Sequence, residues 1–198
     1  MRFATEFRRR PPDPLEKATA ERILEIRRWS DKLFSVRVSR PPVFRFTPGQ
    51  WVRLGIAGGN SMPGSVIWRP YSMFSADYDE HLEFFSILVP GGAFSTRLAA
   101  AAGGDTLYVE KQPYGYLTAA RFNGGRHLWL LASGTGVAPY LSILRDPDVW
   151  QRYEERVLAY SVSRARDLAY RDELAALADD ELLGAGRPPL RFIPVVTR

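Results

Sequence analysis

The chain has 198 residues, 45% hydrophobic and 25% charged, with a net charge of +5 and no cysteine. That balance suits a globular chain of one large or two small domains. The missing thiols exclude disulfides, thiolate nucleophiles, Cys-bound structural zinc and Cys-ligated iron–sulfur clusters within it.

The two histidines, His81 and His127, leave little for a His-based metal centre or a Ser-His-Asp triad. No metal site is expected, so any redox chemistry requires a bound organic cofactor. The opening "MRFATEFRRRPPDP" is basic but has no apolar stretch, so it does not read as a signal peptide. No apolar run is long enough to span a bilayer, and the default compartment is the cytoplasm. A basic balance suits an anionic cofactor, an acidic protein or nucleic acid equally well. One Arg triplet in a Pro-rich tail reads as a solvated tail rather than a nucleic-acid site.

In chain order, residues 1–18 read as a basic Arg/Pro-rich arm. Six short strand-like runs follow, at 22–29, 32–40, 50–56, 69–75, 81–89 and 106–111, separated by turn signals such as "TPGQ", "AGGNSMPG" and "PGG". They predict an antiparallel six-stranded β-barrel over 19–119, interrupted by one helix at 93–102. From about residue 120 the pattern changes. Apolar runs at 127–133, 157–163 and 190–196 alternate with helical stretches at 138–144, 147–154 and 167–178. That succession predicts a doubly wound α/β domain over 120–198, its strands covered on both faces. Only three of its usual five or six strands can be found, so this domain is expected to be incomplete in the chain.

Three stretches carry candidate chemistry. In "LWLLASGTGVAPY" a strand runs into a Gly-Thr-Gly turn (Gly134, Thr135, Gly136), with Pro139 in the first helical turn. The turn fits a phosphate at the free N–H groups of the helix start, and it equally fits an ordinary tight strand–helix connection. "VPGGAFSTRL" presents Gly92, Ala93, Phe94 and Ser95 at another helix start, readable as an anion site or as N-capping by Ser or Thr. In "WRPYSMFS", Arg69 and Tyr71 share one strand face and Ser72 takes the other. Arg suits a phosphate and Tyr a flat heterocycle, or the two form a stacked pair on the barrel surface.

The order of these motifs, together with "FTPGQWVRL" (46–54), "GGDTLYVEKQPYGYLT" (103–118), "DLAYRDEL" (167–174) and "PVVTR" (194–198), resembles the ferredoxin–NADP reductase superfamily, in particular the bacterial ferredoxin (flavodoxin)–NADP reductases. The resemblance implies FAD in the barrel and NADP(H) in the α/β domain. It assigns Arg69 and the adjoining Pro70 to the FAD diphosphate, Tyr71 to the isoalloxazine face and Ser72 to flavin N5. Phe85, Ser86, Ile87 and Leu88 would border the flavin, Gly92, Ala93, Phe94 and Ser95 would support the diphosphate, and Thr135 would meet flavin and nicotinamide together. Gly134, Thr135, Gly136, Ser163, Arg164, Thr197 and Arg198 fall to NADP. Relatives place an Arg where this chain has Ser163, so Arg164 stands in for it or the preference for NADP over NAD weakens. Arg198, the last residue, is expected to fray.

The implied reaction is hydride transfer between nicotinamide and flavin N5, with single electrons exchanged with an acidic ferredoxin or flavodoxin. Two other readings stay open: an FAD-binding remnant without a working NADP site, and the reductase component of an oxygenase system.

Overall fold

A computed structural model describes residues 16–58, 65–180, 183, 188 and 190–198. The arm expected over residues 1–18 lies outside them as far as residue 15.

Six strands form the first unit: β1 (Ala18–Arg28), β2 (Leu33–Ser39), β3 (Trp51–Ala57), β4 (Val66–Ser72), β5 (His81–Ile87) and β6 (Thr106–Glu110). Their order is β4-β3-β6-β1-β2-β5, antiparallel throughout. Alternation drives the inward residues Ile23, Val36, Leu54, Leu82 and Val109 into one core. Helix α1 (Ala93–Ala100) closes that core with Phe94, Leu98 and Ala99.

The sheet curls into the expected barrel but stays open along one seam, because its end strands β4 and β5 share no hydrogen-bonded register. Pro70 has no N–H to offer a neighbour and sits on the open edge of β4, where such a residue is tolerated. The strand read over 69–75 actually spans Val66–Ser72. Past Ser72, Met73 N–H still donates to Gln50 O beside β3 at 3.0 Å, and the chain then crosses the seam, where Phe74 N–H donates to Glu83 O of β5 at 2.9 Å.

The second unit contains β7 (His127–Ser133), α2 (Ala138–Leu144), α3 (Pro147–Arg152), β8 (Glu155–Val162), α4 (Arg171–Asp179) and β9 (Arg191–Val196). The three strands are parallel in the order β7-β8-β9. Pro194 lies in β9, which is an edge among the described residues.

Two expectations need correcting here. The helix read from residue 167 begins only at Arg171, because Ala165–Asp167 form a 3₁₀ turn and Tyr170 adopts a left-handed conformation (φ 62°). And β7 is not covered on both faces among the described residues: Leu128, Leu130 and Ala132 are buried while Trp129 and Leu131 are 54% and 68% exposed.

The two units share one apolar core. Leu33, Phe74 and Phe85 of the barrel are buried in the same cluster as Leu130, Val137, Leu141, Ile143 and Leu158. Ser142 Oγ, on α2, donates to Ser75 O across the junction at 2.7 Å, between buried partners. The relative placement of the units therefore rests on close-packed contacts.

Candidate functional site

The β4–β5 seam opens into a cavity of about 550 Å³ where barrel and α/β unit meet. From β4 it is lined by Arg69, Pro70, Tyr71 and Ser72, and from β5 by Phe85, Ser86 and Ile87. The start of α1 contributes Gly92, Ala93, Phe94 and Ser95, and the second unit contributes Thr135 and Gly136. Four stretches spread from Arg69 to Gly136 thus face one cavity of a size typical for small-molecule sites.

Tyr71 bridges the seam. Its hydroxyl shares a 2.7 Å hydrogen bond with Ser86 Oγ, and its ring lies 5.5 Å from that of Phe94 and edge-on to Phe84 at 6.4 Å. Burial raises the hydroxyl pKa against the opposing influence of Ser86 and Arg69, so the phenol stays neutral at physiological pH.

Arg69 is exposed and, among the described residues, makes no cation–π contact with Tyr71; Nη1 donates to Trp68 O at 2.8 Å. Among the described residues it pairs with no carboxylate. A guanidinium on the cavity wall that no carboxylate neutralises suits an anion.

The α1 turn is tied differently from the capping expected. Gly92 is the N-cap and no side chain caps the helix. Instead Ser95 Oγ accepts from Val89 N–H at 3.0 Å and faces Gly92 O at 3.4 Å. Gly91 takes φ 71°, in the left-handed region where glycine carries no Cβ penalty. The Gly-Thr-Gly stretch tightens into a 3₁₀ turn over Gly134–Val137, with Gly134 at φ 52°, before α2 begins with Pro139 in its first turn.

Two of the expected flavin and nicotinamide residues do not line the cavity. Leu88 packs against the barrel core, and Gly134 opens the 3₁₀ turn that brings Thr135 and Gly136 to the cavity. Val89 and Ala138 line it and carry no chemical signature that would single them out in sequence.

The remaining expected residues, Ser163, Arg164, Thr197 and Arg198, gather separately at the carboxyl ends of β8 and β9. Thr197 N–H donates to Val162 O and Arg198 N–H to Ser163 O, both at 3.0 Å. The backbone of Arg198 is therefore held to β8 rather than frayed. Carboxyl ends of parallel strands are where open α/β sheets take ligands.

The curled antiparallel sheet, the parallel α/β unit and the cavity between them define the two-domain reductase architecture. A family model described as the oxidoreductase NAD-binding domain matches residues 130–183. Ferredoxin–NADP reductase A of Sorangium cellulosum is 46% identical over 182 residues, covering 91% of this chain and 64% of the relative. The ferredoxin–NADP reductase of Pseudomonas aeruginosa is 41% identical, covering 90% of this chain and 68% of its own length. A crystal structure of a ferredoxin NADP+ reductase from Neisseria gonorrhoeae, with bound FAD and NADP, superposes with a TM-score of 0.82 at 40% identity. It is covered to 69%, and this chain to 92%.

The chain belongs to the ferredoxin–NADP reductase family. It spans about two thirds of the length of these relatives.

Proposed function

We propose that the cavity binds FAD and that the chain carries the flavin site and part of the nicotinamide site of a ferredoxin (flavodoxin)–NADP reductase. Residues 19–119 form the FAD unit in this reading, and 120–198 the NADP(H) unit. The observation that carries it is the convergence of Arg69, Tyr71, Ser72, Phe85, Ser86, the Gly92–Ser95 turn and Thr135 on one cavity. Membership of the family and the FAD and NADP bound to the Neisseria gonorrhoeae relative support it.

The residues present fit such a ligand. A guanidinium without a carboxylate partner and the α1 turn suit a diphosphate, and the neutral Tyr71 beside Phe94 suits a flat ring. Arg69 and Pro70, with Gly92, Ala93, Phe94 and Ser95, would hold the diphosphate. Tyr71 would cover a ring face, and Phe85, Ser86 and Ile87 would border the ring and its chain, with Leu88 supporting them from the core side. Ser72 is assigned to the N5 end of the ring, and Thr135 to the boundary where nicotinamide arrives. Gly134 and Gly136 leave the backbone bare for its close approach, while Ser163, Arg164, Thr197 and Arg198 are assigned to the 2′-phosphate.

When bound, the flavin supplies hydride exchange with the nicotinamide and one-electron exchange with a protein partner. The chain's own task is to orient the ring, neutralise phosphate charge and exclude water; no side-chain nucleophile is called for. An acidic ferredoxin or flavodoxin is the partner that suits a net charge of +5. No helix of the described residues is long and apolar enough to cross a membrane, and we place the protein in the cytoplasm.

Incubation with FAD followed by desalting is expected to give a yellow protein that NADPH bleaches anaerobically and that passes electrons to a dye. A colourless protein that cannot be reconstituted would sink the flavin assignment. A yellow protein that NADPH leaves unbleached would instead favour an FAD-binding chain without a working NADP site.

A further inference from the structure

We infer that Tyr170, carried by the α/β unit, is a positioning residue that holds the walls of the cavity in the barrel. This inference rests on the flavin reading for its consequence, while the positioning itself is a property of the protein alone.

Tyr170 is the one non-glycine residue with positive φ among the described residues, and a bulky side chain seldom adopts that conformation without cause. The conformation turns its ring out of its own unit and into the barrel, where it is 2% exposed. The ring stacks on Phe74 at 4.1 Å, meets Phe85 edge-on at 5.1 Å and Trp29 at 4.2 Å. Its hydroxyl donates to Glu83 Oε1 at 3.1 Å, in a buried bond.

Every one of these barrel partners except Trp29 belongs to a segment that builds the cavity. Phe85 lines it directly. Phe74 stands two residues beyond Ser72 and is bonded through its N–H to Glu83 O. Glu83 precedes Phe85 and Ser86 on β5, and its N–H donates to Ser75 Oγ at 2.6 Å. The ring thus packs against β5 and against the segment that leaves β4 at the seam. Polar contacts fix the segment that delivers it: Asp167 pairs with Lys32 at 2.8 Å and accepts from Ser30 Oγ at 3.0 Å, Arg166 pairs with Asp31, and Glu173 with Arg27. Binding geometry is set by such supporting packing as much as by the lining residues themselves.

The test is hydrogen exchange on the full chain without FAD, comparing wild type with Tyr170→Ala, Tyr170→Phe and Val149→Ala. Val149 is a buried residue of the same α/β core that makes none of these contacts, so its truncation controls for general loss of stability. Tyr170→Ala is expected to speed exchange in the segments 71–75 and 83–87 by about tenfold, with Tyr170→Phe raising it less, through loss of the Glu83 bond, and Val149→Ala close to wild type there. Exchange in those segments that is unchanged in Tyr170→Ala, or raised as much by Val149→Ala, overturns the inference. FAD titration of the same proteins is expected to show about tenfold weaker binding by Tyr170→Ala alone. A wild type that takes up no FAD counts against the flavin reading, and the exchange data then still decide the role of Tyr170.

Discussion

Tyr71 has two separable jobs at the residue scale, a ring face for the cavity and a hydroxyl that crosses the seam to Ser86. Tyr71→Ala removes both, and FAD affinity is expected to fall about 10- to 100-fold, from ~1–3 kcal/mol of lost aromatic contact. Tyr71→Phe keeps the ring and loses only the shared hydrogen bond, which costs about 1 kcal/mol of stability. Titration with FAD followed by fluorescence and urea unfolding separate the two effects. Arg69→Lys retains the charge but not the planar fork, so it is expected to weaken FAD nearly as much as Arg69→Ala; a fully active lysine variant would show that only the charge matters. A cation, a phenol and a hydroxyl on one short strand stood out in sequence, where the same residues fitted a ligand wall and a stacked surface pair equally well. The Tyr71–Ser86 bond was not legible, since it joins strands that pair with other partners. Nor were Val89 and Ala138, whose side chains carry no chemical signature.

At the scale of elements, the turn before α1 depends on Ser95 rather than on a cap. Ser95→Ala leaves Val89 N–H without its acceptor and is expected to cost about 1 kcal/mol, measured as a lower urea midpoint at unchanged slope. Cooperative loosening of the turn would also weaken FAD, whereas a simple capping serine would affect stability alone. Strand and helix identities followed from periodicity, and their limits followed less well. The stretch over 69–75 looked like one continuous strand, but β4 ends at Ser72: Met73 still bonds to Gln50 beside β3, and Phe74 turns across to Glu83 of β5. The helix read from residue 167 loses its first residues to docking, with Asp167 drawn to Lys32 and Tyr170 turned into the barrel. Both shifts arise from tertiary partners far away in sequence, which local propensity does not register.

The whole molecule is held as one body by the interface between its units, and its pH response reflects that. Burial raises the pKa of Tyr71, Tyr160 and Tyr170 above the ordinary value of 10.0. Each binds its proton more tightly when folded, so its stabilisation is fully present below about pH 10 and is lost as pH rises through the folded pKa. On the acid side, burial alone pushes the Asp167 carboxyl upward. The hydrogen bonds from Lys32 and Ser30 and the charges of Lys32 and Arg166 outweigh it and hold the group below its usual range. Its contribution is present above about pH 4 and is lost as pH falls through the lowered pKa. Unfolding monitored from pH 3 to 11 is expected to show a plateau between these limits, and Asp167→Asn is expected to shallow the acid limb.

The order of the two units and the place of each motif could be read along the chain. How they share a core through Leu33, Phe74 and Phe85 could not, because those residues look like ordinary strand hydrophobics. Equilibrium titration of the apoprotein with FAD, run in parallel on wild type and Tyr71→Ala, tests the central claim most directly. The account predicts saturable binding of one FAD per chain, weakened at least about tenfold in the variant. No FAD uptake by the wild type, or equal affinity in both proteins, would contradict it.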